Sequence, residues 1–267
     1  MGSVLWQTIK DRKISTLVYC LAGVAFMWMY VAMYPSIQAQ AAEFAEILKN
    51  YPEGFMKAFG VEDLSFDTLE KFLAVEHFSI VWPMLALFMS VSFAGHNLSA
   101  EVERGTAELL LSRPVSRTRL FLGKYGAGLA AVALFNVCSI VAAIPLAGLH
   151  GVSYQTSHYG MLVLAGFLFS WAVYSLSMLL SAFFSERSKT LMFGGAMLVG
   201  MYVIKLVSLL RDQFAVIKWA SFFHYFDSRA ALVDGSIEWT TYVVFGVVII
   251  AATTAGLWWW NKRDIAI

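Results

Sequence analysis

Charged residues are scarce in this sequence. Lys, Arg, Asp and Glu make up 14% of its 267 residues, whereas hydrophobic residues make up 59%. Soluble domains average about 25% charged and about 45–50% apolar residues, so the composition excludes an ordinary soluble protein and indicates a polytopic membrane protein. We expect residues 1–267 to form one transmembrane domain, because no segment between the apolar runs is long enough for a second folded unit.

Cysteine is nearly absent. The two cysteines, Cys20 and Cys138, both lie in apolar segments, which favours small packing residues over a disulfide. The five histidines lack the spacing of metal ligands, and the twelve methionines are spread along the chain rather than clustered. The net charge of +1 gives no sign of a nucleic-acid partner. We therefore predict no metal site and no nucleic-acid binding.

Motifs for nucleotide binding and catalysis are missing as well. The sequence has no G-x-x-x-x-G-K-[ST] loop to hold phosphates, no G-x-S-x-G nucleophile motif and no H-E-x-x-H zinc motif. We expect no catalytic residue and no cofactor in this chain. A membrane-embedded enzyme is disfavoured by this absence. A secondary carrier is disfavoured because the sequence shows no clear inverted repeat or broken helix.

Long apolar runs are what the sequence does contain. Six of them approach the roughly 20 residues that a helix needs to cross a bilayer, at about 14–34, 78–95, 126–149, 160–184, 191–210 and 242–260. The predicted fold class is therefore an all-α polytopic membrane protein with six transmembrane helices. Residues 1–14 read as an amphipathic helix lying in the membrane interface; a plain solvated tail is the alternative.

The distribution of charge predicts the orientation. With both termini in the cytoplasm, most basic residues lie on the inner side, as the positive-inside rule requires. The outer loops are then residues 35–76 and 211–241. The first loop is predicted to hold two amphipathic helices, the second of them around Leu69 with Ser65 or Asp67 as its N-cap, acting either as a lid or as simple packing. The aromatic second loop is typical of an interfacial or re-entrant helix.

The most charged segment lies between the second and third apolar runs. Within residues 98–124, the run from Glu101 to Lys124 is too polar for hydrocarbon and is expected in the cytoplasm. It predicts a short helix with an acidic first turn, a break at Pro114, and a second helix that starts at Arg117 with Ser116 as its cap. A rigid surface element of this kind indicates a docking site.

This segment resembles the first cytoplasmic loop of ABC-2-type permeases, the membrane subunits of ATP-driven transporters. The resemblance is carried by E-x-E-x-G-T-x-E-L-L-L-S-R-P-V-S-R-x-x-x-x-x-G-K over residues 101–124, and more weakly by Phe222–Asp227 between the last two spans. It implies docking on a separate ATPase through residues 101–113. The residues expected to form this contact are Glu101, Glu103, Arg104, Gly105, Thr106, Glu108 and Arg113. Gly105 would allow a close approach to the partner backbone.

The resemblance also implies the partners and the cellular setting. We expect two ATPase subunits that hold the ATP and magnesium, and a second permease that is either another copy or a paralogue. Export is the expected direction, with spans two and five lining the pathway, in the plasma membrane of a bacterial or archaeal cell. The sequence does not identify the substrate.

Lys205 is the one ionisable residue well inside an apolar run. The favoured interpretation is that it snorkels to the outer membrane surface or pairs with a local group; the alternative is a role in the transport pathway. Small residues at helical spacing predict close helix contacts, although the pattern is common by chance. They are Gly123, Ala127 and Ala131 in span three, and Ala196 and Gly200 in span five.

Overall fold

The computed structural model describes residues 2–40, 66–106, 115–210 and 212–264. Within these ranges the regular structure is helical, with no strand. Helices α1 to α4 are Gly2–Ala39, Leu69–Glu76, Trp82–Asn97 and Ser99–Glu103, and α5 to α8 are Arg117–Val141, Ala143–Leu149, Tyr159–Phe183 and Arg187–Leu210. A π-helical turn, His77–Val81, joins α2 to α3, and a 3₁₀ helix spans Asp212–Ala220. The last helices are α9 (Phe222–Tyr225), α10 (Ser228–Leu232) and α11 (Trp239–Lys262).

Six segments are long and apolar enough to cross a membrane, which confirms the all-α polytopic class. We number them as spans one to six: Gly2–Ala39, Leu69–Glu103, Arg117–Leu149, Tyr159–Phe183, Arg187–Leu210 and Trp239–Lys262. Span four lies in the middle, packed along spans two, three and six, while span one packs mainly on span three. Spans one, five and six carry many exposed apolar side chains, such as Leu17, Val203 and Val247, as lipid-facing helices do.

Span one differs from the sequence prediction. The expected interfacial helix over residues 1–14 is continuous with the first apolar run, because no glycine or proline interrupts the chain between them. At 1.5 Å per residue the helix is about 57 Å long, so its ends extend past a hydrocarbon core of about 30 Å. Val4 and Leu5 pack on Gly123 of span three, where a Cβ would meet Val4 Cγ1 at 3.0 Å. The predicted close contact at Gly123 is thus made with span one.

Span two also begins earlier than predicted. The amphipathic segment around Leu69 is the first part of this span, and its apolar face, including Leu69, Phe72 and Leu73, is buried. Its N-cap is Thr68, whose hydroxyl accepts from Lys71 N at 3.4 Å, and not Ser65 or Asp67. The first predicted outer-loop helix, near residues 43–51, lies outside the described residues.

The π-helical turn places His77 inside the protein. Its ring is fully buried, with the Tyr30 and Phe78 rings at centroid distances of 5.1 and 4.9 Å. Pro83 follows at the start of α3, where a missing backbone N–H costs little. The sequence predicted that span two begins at residue 78, which put His77 at the membrane boundary. In the structure the span begins at Leu69, so His77 lies within it.

Residues 221–238, which join spans five and six, insert aromatic side chains into the helix bundle. Phe222, Phe223 and Phe226 are buried, and the Phe226 ring stacks on Trp82 of span two at a centroid distance of 5.5 Å. Trp82 also donates its indole N–H to Ser139 Oγ of span three at 2.8 Å. Of the two predicted forms, interfacial or re-entrant, the buried aromatic residues support the re-entrant one, since each contributes a large apolar area to the core.

Candidate functional site

At its Glu103 end, span two is tied to three neighbouring spans through polar side chains, and we call this region the polar junction. Ser99 N donates to Ser181 Oγ of span four at 3.1 Å, and Thr190 of span five donates its hydroxyl to Ser99 Oγ at 3.1 Å. Asn97 Nδ2 donates to Lys124 O of span three at 3.1 Å and to Tyr174 Oη of span four at 3.0 Å. Buried polar groups in a membrane interior are retained where each finds a partner.

Glu101 forms an ion pair with Lys124 inside this junction. The carboxylate lies 2.6 Å from the ammonium, and the side chains are 28% and 8% exposed, respectively. Thr106 donates its hydroxyl to the same carboxylate and to Glu101 O. The sequence placed Glu101 and Thr106 on a docking surface, but the structure shows that their polar groups are bonded within the chain. A buried ammonium needs such a counter-charge because leaving water costs it several kcal/mol.

The other predicted docking residues that are described lie nearer the surface. Glu103 is exposed, and its carboxylate accepts from Arg187 N at 2.9 Å, at the first residue of span five. An acceptor there satisfies one of the free N–H groups at a helix start and favours the positive end of the helix dipole. Arg104 is exposed. Glu108 and Arg113 lie outside the described residues.

Gly105 adopts a left-handed backbone conformation, with φ of +69°, and no described atom within 4 Å would meet a Cβ there. Within this chain, the backbone turn that ends α4 requires the glycine; its close approach to a partner stays a prediction. Any larger residue at this position strains the turn.

The start of span three agrees with the prediction. Ser116 accepts from Arg119 N at 3.3 Å as the N-cap of a helix that begins at Arg117. The Arg117 guanidinium donates to Trp260 O and Arg263 O at the end of span six. Arg263 in turn donates to Ala182 O at 2.7 Å and Phe184 O at 3.0 Å. These two arginines bind the carbonyl ends of spans four and six, where helix C-termini favour cations.

Sequence reasoning missed Asn97, Ser99 and Tyr174 as parts of this junction. The available signal was a pair of polar residues, Asn97 and Ser99, at the end of an apolar run. Polar residues in such a position indicate a helix contact, but the side chains that they contact lie 77 or more positions later in the chain. Only the packing of spans two, four and five brings these groups together.

A second feature is a cavity of about 300 Å³ at the Leu69 end of span two and the Leu210 end of span five. Its wall is formed by residues of the π-helical turn, of span five and of the re-entrant segment, among them Ser79, Tyr202, Lys205, Asp227 and Glu238. Lys205 therefore lies on the cavity wall, near Asp227 and His224.

The charges around this cavity influence its histidine. Burial, together with the nearby Lys218 and Lys205, lowers the pKa of His224 below its ordinary value, so its imidazole is neutral at pH 7. Within the described part of the chain, no three His, Cys, Asp or Glu side chains are grouped to hold a metal ion. The polar groups here can bind or orient a ligand, and they do not form a nucleophile–base pair of the kind used in covalent catalysis.

The family comparison covers nearly the whole chain. A family model described as "ABC-2 family transporter protein" matches residues 5–265. A search of curated proteins found no significant match. The match spans all six membrane helices, the polar junction around Asn97 and Ser99, and residues 221–238. The chain therefore belongs to the ABC-2 transporter family and is a multi-pass membrane permease, the transport component rather than a catalytic subunit.

Proposed function

We propose that this permease exports its substrate with energy from a separate ATPase subunit, and that residues 101–106 carry the mechanical connection. The supporting observation is that this segment is bonded to two other spans: Glu101 pairs with Lys124 of span three, and Glu103 accepts from Arg187 N of span five. A displacement of the segment would be transmitted through these short polar contacts rather than absorbed by a loose loop.

The proposed complex contains two permeases, either two copies or this chain with a paralogue, and two ATPases that hold ATP and magnesium. The absence of a phosphate-binding loop in this sequence agrees with a motor on another chain. Closure of the ATPase pair would push the cytoplasmic end of span two. Spans three and five would tilt with it, and a pathway lined by spans two and five would change its access from inside to outside.

The residues of the segment then divide into two roles. Glu101 and Thr106 hold its shape, because their side chains are bonded within the chain. Arg104 is the exposed charge of the turn, and Gly105 gives the turn its conformation. Together with Glu108 and Arg113, which remain sequence predictions, Arg104 is proposed to contact the ATPase.

Reversing the charge at Arg104 tests this contact. We expect Arg104→Glu to lower the Mg²⁺-dependent ATP hydrolysis that co-purifies with the tagged permease from its own cells by at least about tenfold, since like charges across an interface cost several kcal/mol. Arg104 is exposed, so the amount of folded permease in the membrane should be unchanged.

Arg119→Glu is the matched control, because Arg119 is an exposed arginine at the start of span three, beyond the proposed contact. It should leave the co-purified ATP hydrolysis within about twofold of the unmodified protein, as rim charges contribute little. Equal ATPase capture by Arg104→Glu and the unmodified permease would refute docking at this turn.

The proposed orientation, with both termini in the cytoplasm, has its own test. After Cys20 and Cys138 are replaced by serine, single cysteines are introduced at Ser188, at the inner end of span five, and at Thr156, in the outer connection before span four; both positions are exposed. An impermeant maleimide added to intact cells is expected to label Thr156→Cys and not Ser188→Cys. Labelling in the reverse pattern would invert the topology.

A further inference from the structure

Lys205 is a charged residue of span five without a counter-charge in contact. Among the residues that the structure describes, no Asp or Glu oxygen forms an ion pair with its ammonium within 4.0 Å. The side chain lies on the wall of the outer cavity instead. A lysine inside a membrane helix is costly unless it is paired or faces a polar space, so a ligand that brings a negative charge would be stabilised there.

The carboxylates on the cavity wall are already engaged in local hydrogen bonds. Asp227 caps α10 by accepting from Ala230 N at 2.9 Å, and Glu238 accepts from the Thr240 hydroxyl at 3.0 Å. Both residues are exposed, so water screens their charges. Lys205 is only partly exposed, and a charge away from bulk water acts more strongly on a ligand. The charge of Lys205 therefore favours binding of an anion in the part of the cavity next to this residue.

The size and lining of the cavity suit a ligand with a small polar group next to an apolar part. Its volume of about 300 Å³ is at the lower end for ligand pockets. The π-helical turn of span two contributes Ser79 and Ile80, and Tyr202 and Phe223 add aromatic surface. Such turns within α-helices are frequent at functional sites, because they displace backbone from its regular packing.

We propose that this cavity binds the phosphate or carboxylate group of a small or amphipathic anion, with Lys205 as its counter-charge. The assignment of that anion as the transported cargo rests on the proposed function, whereas the binding itself does not. The anion can come from the aqueous phase outside, or from an amphipathic molecule in the outer leaflet whose apolar part stays in the lipid.

The test measures binding to the permease alone, without ATPase or ATP, in nanodiscs of phosphatidylcholine. Hexyl phosphate is titrated by calorimetry, with hexanol and hexyltrimethylammonium as uncharged and cationic counterparts. We expect saturable binding of hexyl phosphate only. Lys205→Met and Lys205→Gln should each weaken it by at least about tenfold, while Lys205→Arg, which keeps the charge, should stay within about threefold.

Two control variants separate this site from a general charge effect. Lys218→Met removes a lysine of the 3₁₀ helix that acts on His224 from outside the cavity wall, and it should weaken binding by less than about threefold. Asp227→Asn keeps an N-cap side chain and should leave binding equal or tighter. A loss of binding in Asp227→Asn as large as the loss in Lys205→Met would show that the anion does not depend on the charge of Lys205 alone. That result would overturn the proposal.

Inorganic phosphate as a second titrant distinguishes the two sources. Binding of inorganic phosphate as tight as that of hexyl phosphate indicates a soluble anion, and binding of hexyl phosphate alone indicates an amphipathic one. The proposal fails if hexanol binds equally well, if folded protein binds neither phosphate, or if both Lys205 variants bind normally. Since no ATPase is present, such a failure leaves the proposed coupling untouched, and a failed coupling test leaves anion binding untouched.

Discussion

Glu101→Ala is expected to lower the free energy of unfolding by about 3 kcal/mol, because it leaves the Lys124 ammonium buried without its counter-charge. The pair is short, at 2.6 Å, and the Lys124 side chain is only 8% exposed. The substitution also removes the carboxylate acceptor of the Thr106 hydroxyl, which keeps only Glu101 O. Unfolding in mixed dodecyl sulfate and neutral detergent micelles, followed by tryptophan fluorescence, measures the change.

An exposed ion pair of the same protein provides the control. Lys189 and Glu186 also lie close, at 2.5 Å, but their side chains are 49% and 47% exposed. Glu186→Ala should therefore cost less than about 0.5 kcal/mol, as exposed pairs generally do. Replacing both members of the buried pair, Glu101→Leu with Lys124→Met, should restore much of the stability lost in Glu101→Ala. Similar losses for Glu101→Ala and Glu186→Ala would show that the inner pair is not desolvated.

Gly128→Ala should be the second strongly destabilising change, by about 2 kcal/mol, because span three approaches span four too closely for a side chain. A Cβ at Gly128 would overlap the Tyr174 hydroxyl and lie 2.6 Å from its ring Cζ. Tyr174 is fully buried and accepts from Asn97, so it has little room to move. The same unfolding measurement in mixed micelles applies.

Gly200→Ala makes the same chemical change in span five, where no described atom lies within 4 Å of the added methyl group. It should leave stability unchanged or slightly higher, since alanine favours a helix over glycine. Combining Gly128→Ala with Tyr174→Phe should recover part of the loss by removing the overlapping hydroxyl. Equal stability of the Gly128 and Gly200 variants would contradict the packing described for spans three and four.

The small-residue pattern illustrates the limit of the sequence. Gly123 and Gly200 both fit a spacing that permits close helix approach. A Cβ at Gly123 would lie 3.0 Å from Val4 of span one, whereas a Cβ at Gly200 would face open space within the described chain. The spacing places small residues on one face of a helix, but only the packed bundle determines whether another helix lies against that face.

Boundaries were less predictable than the presence of helices. The interfacial helix over residues 1–14 and the surface helix at Leu69 were both recognised as helical from their periodicity, yet both are parts of longer spans. Amphipathic spacing measures which face is apolar. It does not distinguish a face covered by lipid headgroups from one covered by another helix, as Leu69 and Phe72 are.

The sequence by itself determined the six spans, the all-α class and the Ser116 cap, because the length of an apolar run and a cap hydroxyl act on neighbouring residues. The tertiary structure decided the partners of Glu101 and Asn97 and placed Lys205 on the wall of a cavity. These depend on which helices pack together, and a contact between Asn97 and Tyr174, 77 residues apart, leaves no local trace. Polar groups that are distant in the sequence stabilise the protein through hydrogen bonds only after the spans have packed together.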